Sequence, residues 1–112
     1  GGVVYYANYL KHLEEGRYEF CLSKGVNIVE YAKEGVIFPV VHCEIDYESP
    51  ARYGDMIRIF TSIEKIGFSS IYFLQEIKRG ETLLVKAMIV CACVNEALKP
   101  KAIPDKIKQA LS

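Results

Sequence analysis

The sequence has no tryptophan, only two histidines and two methionines, and no excess of either charge. Its 14 Lys and Arg residues balance 14 Asp and Glu residues, so the formal net charge is zero. A general nucleic-acid-binding protein needs a basic excess to neutralise phosphates, and this balance excludes that class. A chain with no net charge can still contain one local basic pocket that binds a phosphorylated ligand.

Long apolar runs and metal-binding spacings are also missing. No apolar run approaches the ~20 residues that span a bilayer, so we expect no stable membrane insertion. Neither His12 nor His42 has metal-ligand spacing to a cysteine, and no cysteines form a CxxC pair. A disulfide between Cys91 and Cys93 would be hard to close within one strand. We therefore expect no metal, no cofactor and four reduced, mostly buried thiols, which are typical of a cytoplasmic protein.

The length of 112 residues predicts one domain over residues 1–112. Apolar residues at three- and four-residue steps predict one long helix over residues 8–24. Its stripe begins at Tyr6 and includes Leu10 and Arg17. Asn8 is a plausible N-cap, and Gly25 supplies the stop.

After a short helical turn at residues 29–33, the periodicity changes to that of strands. Four strands are predicted at residues 38–47, 57–63, 69–78 and 82–94, followed by a small helix after Pro104. This order indicates an α+β fold with a mostly antiparallel sheet. The segment 82–94 is apolar on both faces, which places it in the middle of the sheet with one face under the helix. We expect a partner subunit to cover the other face.

The glycine-led turn Gly1–Tyr6 runs into the predicted helix. Backbone N–H groups at a helix start carry partial positive charge and can form an oxyanion hole. The alternative is a hydrophobic strand end that packs on its own helix, and the pattern alone favours it.

His42 alternates with acidic residues, so a surface position is favoured over a general base. Glu14 and Glu15 point about 100° apart and cannot act as a paired acid and base; a surface role or salt bridges to Arg17 or Lys11 are favoured.

Two segments together carry a family resemblance. Residues 2–9, Gly-Val-Val-Tyr-Tyr-Ala-Asn-Tyr, are followed by Leu-Glu-Glu-Gly-Arg at residues 13–17. They resemble the signature of the 4-hydroxybenzoyl-CoA thioesterase family, Asp-x-x-Gly-Val-Val-Tyr/Phe-x-x-x-Tyr and then a Glu-x-x-Arg-like helix. Residues 38–41 and 47–55 are similar to its next strand and turn. The resemblance extends over essentially the whole chain and points to the Tol-Pal-associated members.

The resemblance implies a hotdog fold, in which a curved antiparallel β-sheet wraps a long central helix. It also implies a homodimer or homotetramer with shared active sites, and hydrolysis of acyl-CoA to a free acid and CoA. In the family an aspartate acts as nucleophile or general base, while a helix N-terminal amide polarises the thioester carbonyl. Carried onto this sequence, that amide is the backbone N–H of Tyr6, with Tyr5, Asn8, Tyr9 and Glu15 expected around it. For CoA, we expect some of Arg52, Lys65, Arg79 and Lys101 to meet the phosphates, with Ser69 and Ser70 lining the pantetheine path.

The sequence departs from the family pattern at the aspartate, which is expected two residues before Gly1. We interpret the chain as lacking its first strand and the start of its catalytic loop. Tyr6 also stands where many family members carry histidine. The alternative is a non-catalytic acyl-CoA-binding or assembly module. A hotdog dehydratase would need a histidine in the loop before the helix, and neither His12 nor His42 fits.

Overall fold

The structure, a computed structural model, describes residues 6–52 and 54–112. One long helix is followed by a short helix, four strands and a C-terminal helix, and this order confirms the predicted α+β class. The elements are α1 (Tyr6–Ser23), α2 (Ile28–Lys33), β1 (Val40–Tyr47), β2 (Arg58–Ile66), β3 (Ser70–Arg79), β4 (Thr82–Ala92) and α3 (Asp105–Leu111). No helix in the described ranges is long and apolar enough to cross a membrane.

Helix α1 ends as the sequence predicts but extends further towards the N-terminus. Gly25 adopts φ +82°, and the N–H of Val26 donates to the carbonyl of Cys21 at 2.8 Å. These two features form a Schellman C-cap, in which a glycine takes the left-handed conformation. Asn8 lies inside the helix, so its predicted N-cap role is wrong.

The four strands form one antiparallel sheet in the order β1-β4-β3-β2. The central position predicted for residues 82–94 is confirmed, although the strand ends at Ala92. Hydrogen bonds between β3 and β4 pair Phe73 with Ile89 and Ile77 with Val85. All four of these side chains are buried, and they share the sheet face that belongs to the core.

The core lies between α1 and this face of the sheet. Buried α1 side chains include Tyr9, Leu13 and Cys21, whereas Leu10 of the predicted stripe is 48% exposed. Helix α3 adds Ile107 and Leu111 to the same core, and its position confirms the small helix predicted after Pro104.

The other face of β4 differs from the expected second apolar surface. Lys86 is exposed there, and Val90 is 7% exposed within the single chain. Val90 pairs with His42 on β1 and Tyr72 on β3, so its own neighbours flank it. Burial on this face therefore does not by itself require a partner subunit.

Helix α1 packs tightly against the sheet at Gly16. A Cβ atom built on Gly16 would lie 2.7 Å from Ile59 Cγ2 and 3.2 Å from both Gln75 Nε2 and Thr61 Oγ1. These distances are shorter than ordinary van der Waals contacts. Glycine at this position sets how closely the helix packs on β2 and β3.

Candidate active site

A cleft of about 650 Å³ opens along α1, on the side that faces the start of β1. Helix α1, the segment before β1, strands β3 and β4, and α3 all contribute to its walls. Its lining includes Arg17, Tyr18, Cys21, Phe38, Phe73 and Cys91. Its volume is within the range of small-molecule sites, which are usually mostly apolar with a few placed polar groups.

Arg17 is the principal polar group in the wall of this cleft. Its Nη1 donates to Oε1 of Gln75 at 3.0 Å. Gln75 is 1% exposed, and its Nε2 donates to the carbonyl of Leu13 at 2.9 Å and to Thr61 Oγ1 at 3.0 Å. The amide of Gln75 is thus fully engaged, and it fixes the orientation of the guanidinium.

Neutral thiols, not carboxylates, surround Arg17. Burial, followed by the nearby Cys91, raises the pKa of Cys21 to about 11, although Arg17 opposes the rise. Burial also raises the pKa of Cys91 against the charge of Arg17 and its hydrogen bond to the sulfur. Both groups are therefore protonated at neutral pH, and neither balances the charge of the guanidinium.

The acidic residues of α1 lie elsewhere on the helix surface. Glu15 approaches His12 at 3.9 Å, and both Glu14 and Glu15 are exposed at the edge of the cleft. No carboxylate in residues 6–52 and 54–112 forms an ion pair with Arg17. The predicted surface role of this acidic pair fits their exposure, whereas the salt bridge to Arg17 is not observed among the described residues.

A polar turn after β1 packs against the first turns of α1. The backbone N–H of Ala51 donates to the Tyr9 hydroxyl at 3.1 Å. Asp55 accepts from the Arg52 N–H at 2.7 Å and from Arg79 at 2.9 Å. The Arg52 backbone bond, followed by the Arg79 bond, holds the pKa of Asp55 below its usual value. This turn therefore contacts α1 through Tyr9 and holds the Arg79 side chain through Asp55.

The predicted catalytic residues that the structure describes all lie on α1. Tyr6 is the first residue of α1, and Asn8 follows within its first turn. Tyr5 lies outside the described residues. Tyr9 is buried, with its hydroxyl engaged by the turn after β1. Glu15 comes nine residues after Tyr6, which is about 14 Å along the helix axis, so the two do not share a contact point.

The six predicted CoA-binding residues fall into two groups at opposite ends of β3. Arg79 is the last residue of that strand. Its guanidinium and the backbone N–H of Arg52 both donate to Asp55, so the two arginines belong to one group. Ser69, Ser70, Lys65 and Lys101 lie near the other end, where Cys93 bridges Ser69 and Lys101 through backbone hydrogen bonds. Nine residues of strand separate the groups, a distance of about 30 Å. One chain therefore does not bring the six into a single site.

His42 lies on the exposed face of β1, with Nε2 3.2 Å from a carboxylate oxygen of Glu44. This confirms the predicted surface position. The expectation of mostly buried thiols is also confirmed, with Cys43 as the exposed exception. All four cysteines are free.

Sequence reasoning did not identify Gln75 and did not assign Arg17 to a site. A signal for Gln75 is present in the sequence. It occupies the same alternating register as the apolar residues Ile71, Phe73 and Ile77 on β3. A polar side chain on the core-facing register needs an internal hydrogen-bond partner.

Comparison with known proteins gives a consistent result over the whole chain. The family described as "Thioesterase-like superfamily" matches residues 1–111. The acyl-CoA thioester hydrolase YbgC of Escherichia coli is 36% identical over 109 residues, covering 96% of this chain and 81% of that protein. The crystal structure of a probable thioesterase from Bartonella henselae superposes with a TM-score of 0.86 at 36% identity, covering 92% of this chain and 86% of that one. A 1,4-dihydroxy-2-naphthoyl-CoA thioesterase from Synechocystis is similar in fold, with a TM-score of 0.89 at 24% identity, covering 98% and 83% of the two chains. These similarities confirm the hotdog fold.

Proposed function

The chain belongs to the thioesterase-like superfamily, and we propose that it hydrolyses acyl-CoA thioesters to a free carboxylic acid and CoA. The observation that carries this proposal is the family match over residues 1–111, which includes α1 and every wall of the cleft. A relative that is 36% identical is itself named an acyl-CoA thioester hydrolase.

The proposed mechanism uses the N-terminal end of α1. The Tyr6 backbone N–H lies in the first turn, where amides have no intrahelical acceptor. It would donate to the thioester oxygen and stabilise the negative charge that develops there, a contribution of about 3 kcal/mol. An aspartate before residue 1 would activate water to attack the carbonyl carbon, or would attack that carbon itself. In either case the C–S bond breaks, the thiolate of CoA leaves, and a proton restores the thiol. After direct attack the acyl group remains on the aspartate as a mixed anhydride, which a water molecule hydrolyses to the free acid.

We place the acyl group in the cleft along α1 and the nucleotide of CoA near the turn after β1. Arg52 is exposed in that turn, next to the residues that pack on Tyr9. Arg79 already pairs with Asp55, so its charge is partly satisfied. Of the six predicted CoA-binding residues, Arg52 is therefore our first choice for a phosphate contact.

We also propose that the protein forms at least a homodimer through β1. This strand lies at one side of the described sheet, and nearly all of its residues are exposed on both faces. Its apolar residues include Val41, which is 60% exposed. No other strand among the described residues pairs with its outer edge, and an edge strand with exposed apolar residues readily pairs with another chain.

The thiol of Cys43 reports this assembly because it is exposed on β1 in the single chain. We expect labelling of Cys43 to slow as protein concentration rises, while Cys21, Cys91 and Cys93 stay slow at every concentration. At pH 8 about a thousandth of Cys21 is thiolate, given its pKa of about 11. Timed labelling followed by mass spectrometry measures the labelling rate of each cysteine. Light scattering at the same concentrations measures the oligomeric state. A folded monomer at micromolar concentration with rapid Cys43 labelling throughout would contradict the dimer.

A cytoplasmic location is part of the same proposal, supported by four free thiols. The Tol-Pal association suggested by the sequence resemblance stays a prediction.

The test is release of CoA thiol by the full-length protein from short, long and aromatic acyl-CoAs. We expect turnover of at least one acyl class, undiminished by chelators. Replacement of the upstream aspartate by asparagine should lower kcat by orders of magnitude. Binding of acyl-CoA without thiol release from any member of the panel would instead support a non-catalytic binding module.

A further inference from the structure

The two halves of the cleft along α1 differ in chemistry. Lys11, Glu14 and Glu15 line the half nearer the N-terminal end of the helix, and all three are exposed. Arg17 lies at the boundary, where Gln75 and Cys91 hold its guanidinium against the sheet. The half nearer the C-terminal end of α1 is apolar. Its buried lining includes Cys21, Ile71, Phe73, Cys91, Ile107 and Leu111.

Two apolar side chains remain exposed beside this apolar half. Val29 on α2 is 51% exposed, Val40 at the start of β1 is 47% exposed, and both line the cleft. A hydrocarbon seated between them would remove their surface from water, which is favourable in proportion to the area covered. Val40 belongs to the strand proposed to pair with a second chain, whereas Val29 belongs to a helix outside the sheet.

The cleft leads from the proposed reaction end of α1 to the apolar half. Lys11, Glu14, Tyr18 and Cys21 follow one another at three- or four-residue steps, so they share one face of the helix. Cys21 comes fifteen positions after Tyr6, which is about 22 Å along the helix axis. An extended chain of single bonds gains about 1.2 Å per bond, so a chain of about 16–18 carbons reaches Cys21. A hexanoyl chain ends beside Lys11.

From this arrangement we propose that the preferred substrates are CoA thioesters of long-chain aliphatic acids, with the end of the chain seated between α1 and α3. The proposal rests on the thioesterase function above. Methylene groups near the thioester lie beside charged, exposed side chains and gain little from burial. Those beyond about carbon 10 enter the apolar half, where each fully buried methylene raises kcat/KM by up to about fourfold. A single-ring aromatic acyl group is too short to reach that half.

Helix α3 sets the upper limit of chain length. Ile107 is fully buried and Leu111 is 5% exposed, and both line the apolar half. The backbone N–H of Ile103 donates to the carbonyl of Phe68 at 2.8 Å, so the segment that leads into α3 is anchored to the turn between β2 and β3. The wall formed by α3 is therefore part of the core. A chain longer than about 18 carbons extends beyond it into water and gains no further burial.

The first experiment measures kcat/KM of the full-length protein for butyryl-, hexanoyl-, decanoyl-, myristoyl-, palmitoyl-, arachidoyl- and benzoyl-CoA, each below its critical micelle concentration. We expect little change up to decanoyl-CoA and a rise of about two- to fourfold per methylene from decanoyl- to palmitoyl-CoA. Arachidoyl-CoA should show no further rise, and benzoyl-CoA should be a poor substrate. A maximum at benzoyl- or hexanoyl-CoA would overturn the proposal.

Val29→Glu tests the apolar half directly. The side chain is exposed in the first turn of α2, where an acidic residue is compatible with the helix. We expect the kcat/KM ratio of palmitoyl- to hexanoyl-CoA to fall about tenfold, because a long chain would remove water from the new carboxylate. The matched control is Leu98→Glu, which changes a 71% exposed leucine outside the cleft and should leave the ratio unchanged.

The outcomes separate this proposal from the general function. Equal losses on both substrates in Val29→Glu would overturn the chain-length role. If the protein hydrolyses no acyl-CoA, calorimetry tests recognition without turnover: tighter binding of palmitoyl- than hexanoyl-CoA, reduced in Val29→Glu, supports the proposal, and equal binding of the two overturns it. Loss of assembly in Val29→Glu by light scattering, with an unchanged substrate ratio, would show that a second copy covers the cleft instead. Circular dichroism establishes that each variant is folded, and the wild-type chain-length profile tests the proposal even if a variant is not.

Discussion

Replacing Tyr6 by proline in the full-length protein is expected to lower kcat about 100–1000-fold, because proline removes the backbone N–H proposed as oxyanion donor. The first turn of a helix tolerates proline, since its N–H groups have no intrahelical acceptor. The substitution therefore removes the donor with little cost to α1. Steady-state assay of CoA thiol release measures the effect.

Tyr6→Phe is the matched control, because it retains the backbone N–H and removes only the hydroxyl. We expect it to change kcat by less than about threefold, the range of a contact outside the transition state. A large loss in Tyr6→Phe with the fold intact would transfer the electrophilic role to the side chain. Full activity in Tyr6→Pro would rule out this amide as the donor. Thermal melts of both variants should agree within a few degrees.

The second large effect is on stability. Gly16→Ala is expected to lower the free energy of unfolding by about 1–2 kcal/mol, because overpacking at a close contact outweighs the gain in helix propensity. The added methyl would lie 2.7 Å from Ile59 Cγ2 and crowd the amide of Gln75. Urea denaturation at fixed protein concentration measures the change. An increase in stability would show that β2 moves away at little cost.

A double-mutant cycle with Ile59→Ala identifies the clash directly. Ile59→Ala removes the methyl group that the new Cβ would meet and should destabilise the protein by itself. In its presence Gly16→Ala should cost less than in the wild-type background, which gives a coupling energy of about 0.5–1 kcal/mol or more. Additive effects would place the strain at Gln75 or Thr61 instead.

Local sequence patterns were sufficient to predict most of the fold. The three-residue and four-residue steps of α1, the left-handed Gly25 and the alternation on β3 each arise from nearby residues, so the sequence predicts them well. The start of α1 was placed too late because Asn8 is a good capping residue that the chain uses inside the helix. Capping preference is weaker than the packing that decides where a helix begins.

The site was harder to predict because it depends on contacts between distant residues. The bond from Arg17 to Gln75 joins residues 58 apart in sequence, and no local pattern predicts such a pair. The CoA-binding prediction selected cations by charge alone, and their joint role stays a prediction. Within one chain, Arg79 and Lys65 lie towards opposite ends of β3. Whether cations of two subunits meet depends on the assembly, which no local sequence pattern encodes.

The hydrogen bonds of Gln75 divide the surroundings of α1 into an anchored flank and an open one. On the β2 side, Gly16 and Gln75 lock the helix to the sheet, whereas the cleft lies on the β1 side. Side chains such as Tyr18 and Phe38 on the open flank can change size without touching the anchor. Substrate range can therefore diverge between related proteins, or be redesigned in the laboratory, while the anchored half keeps the fold.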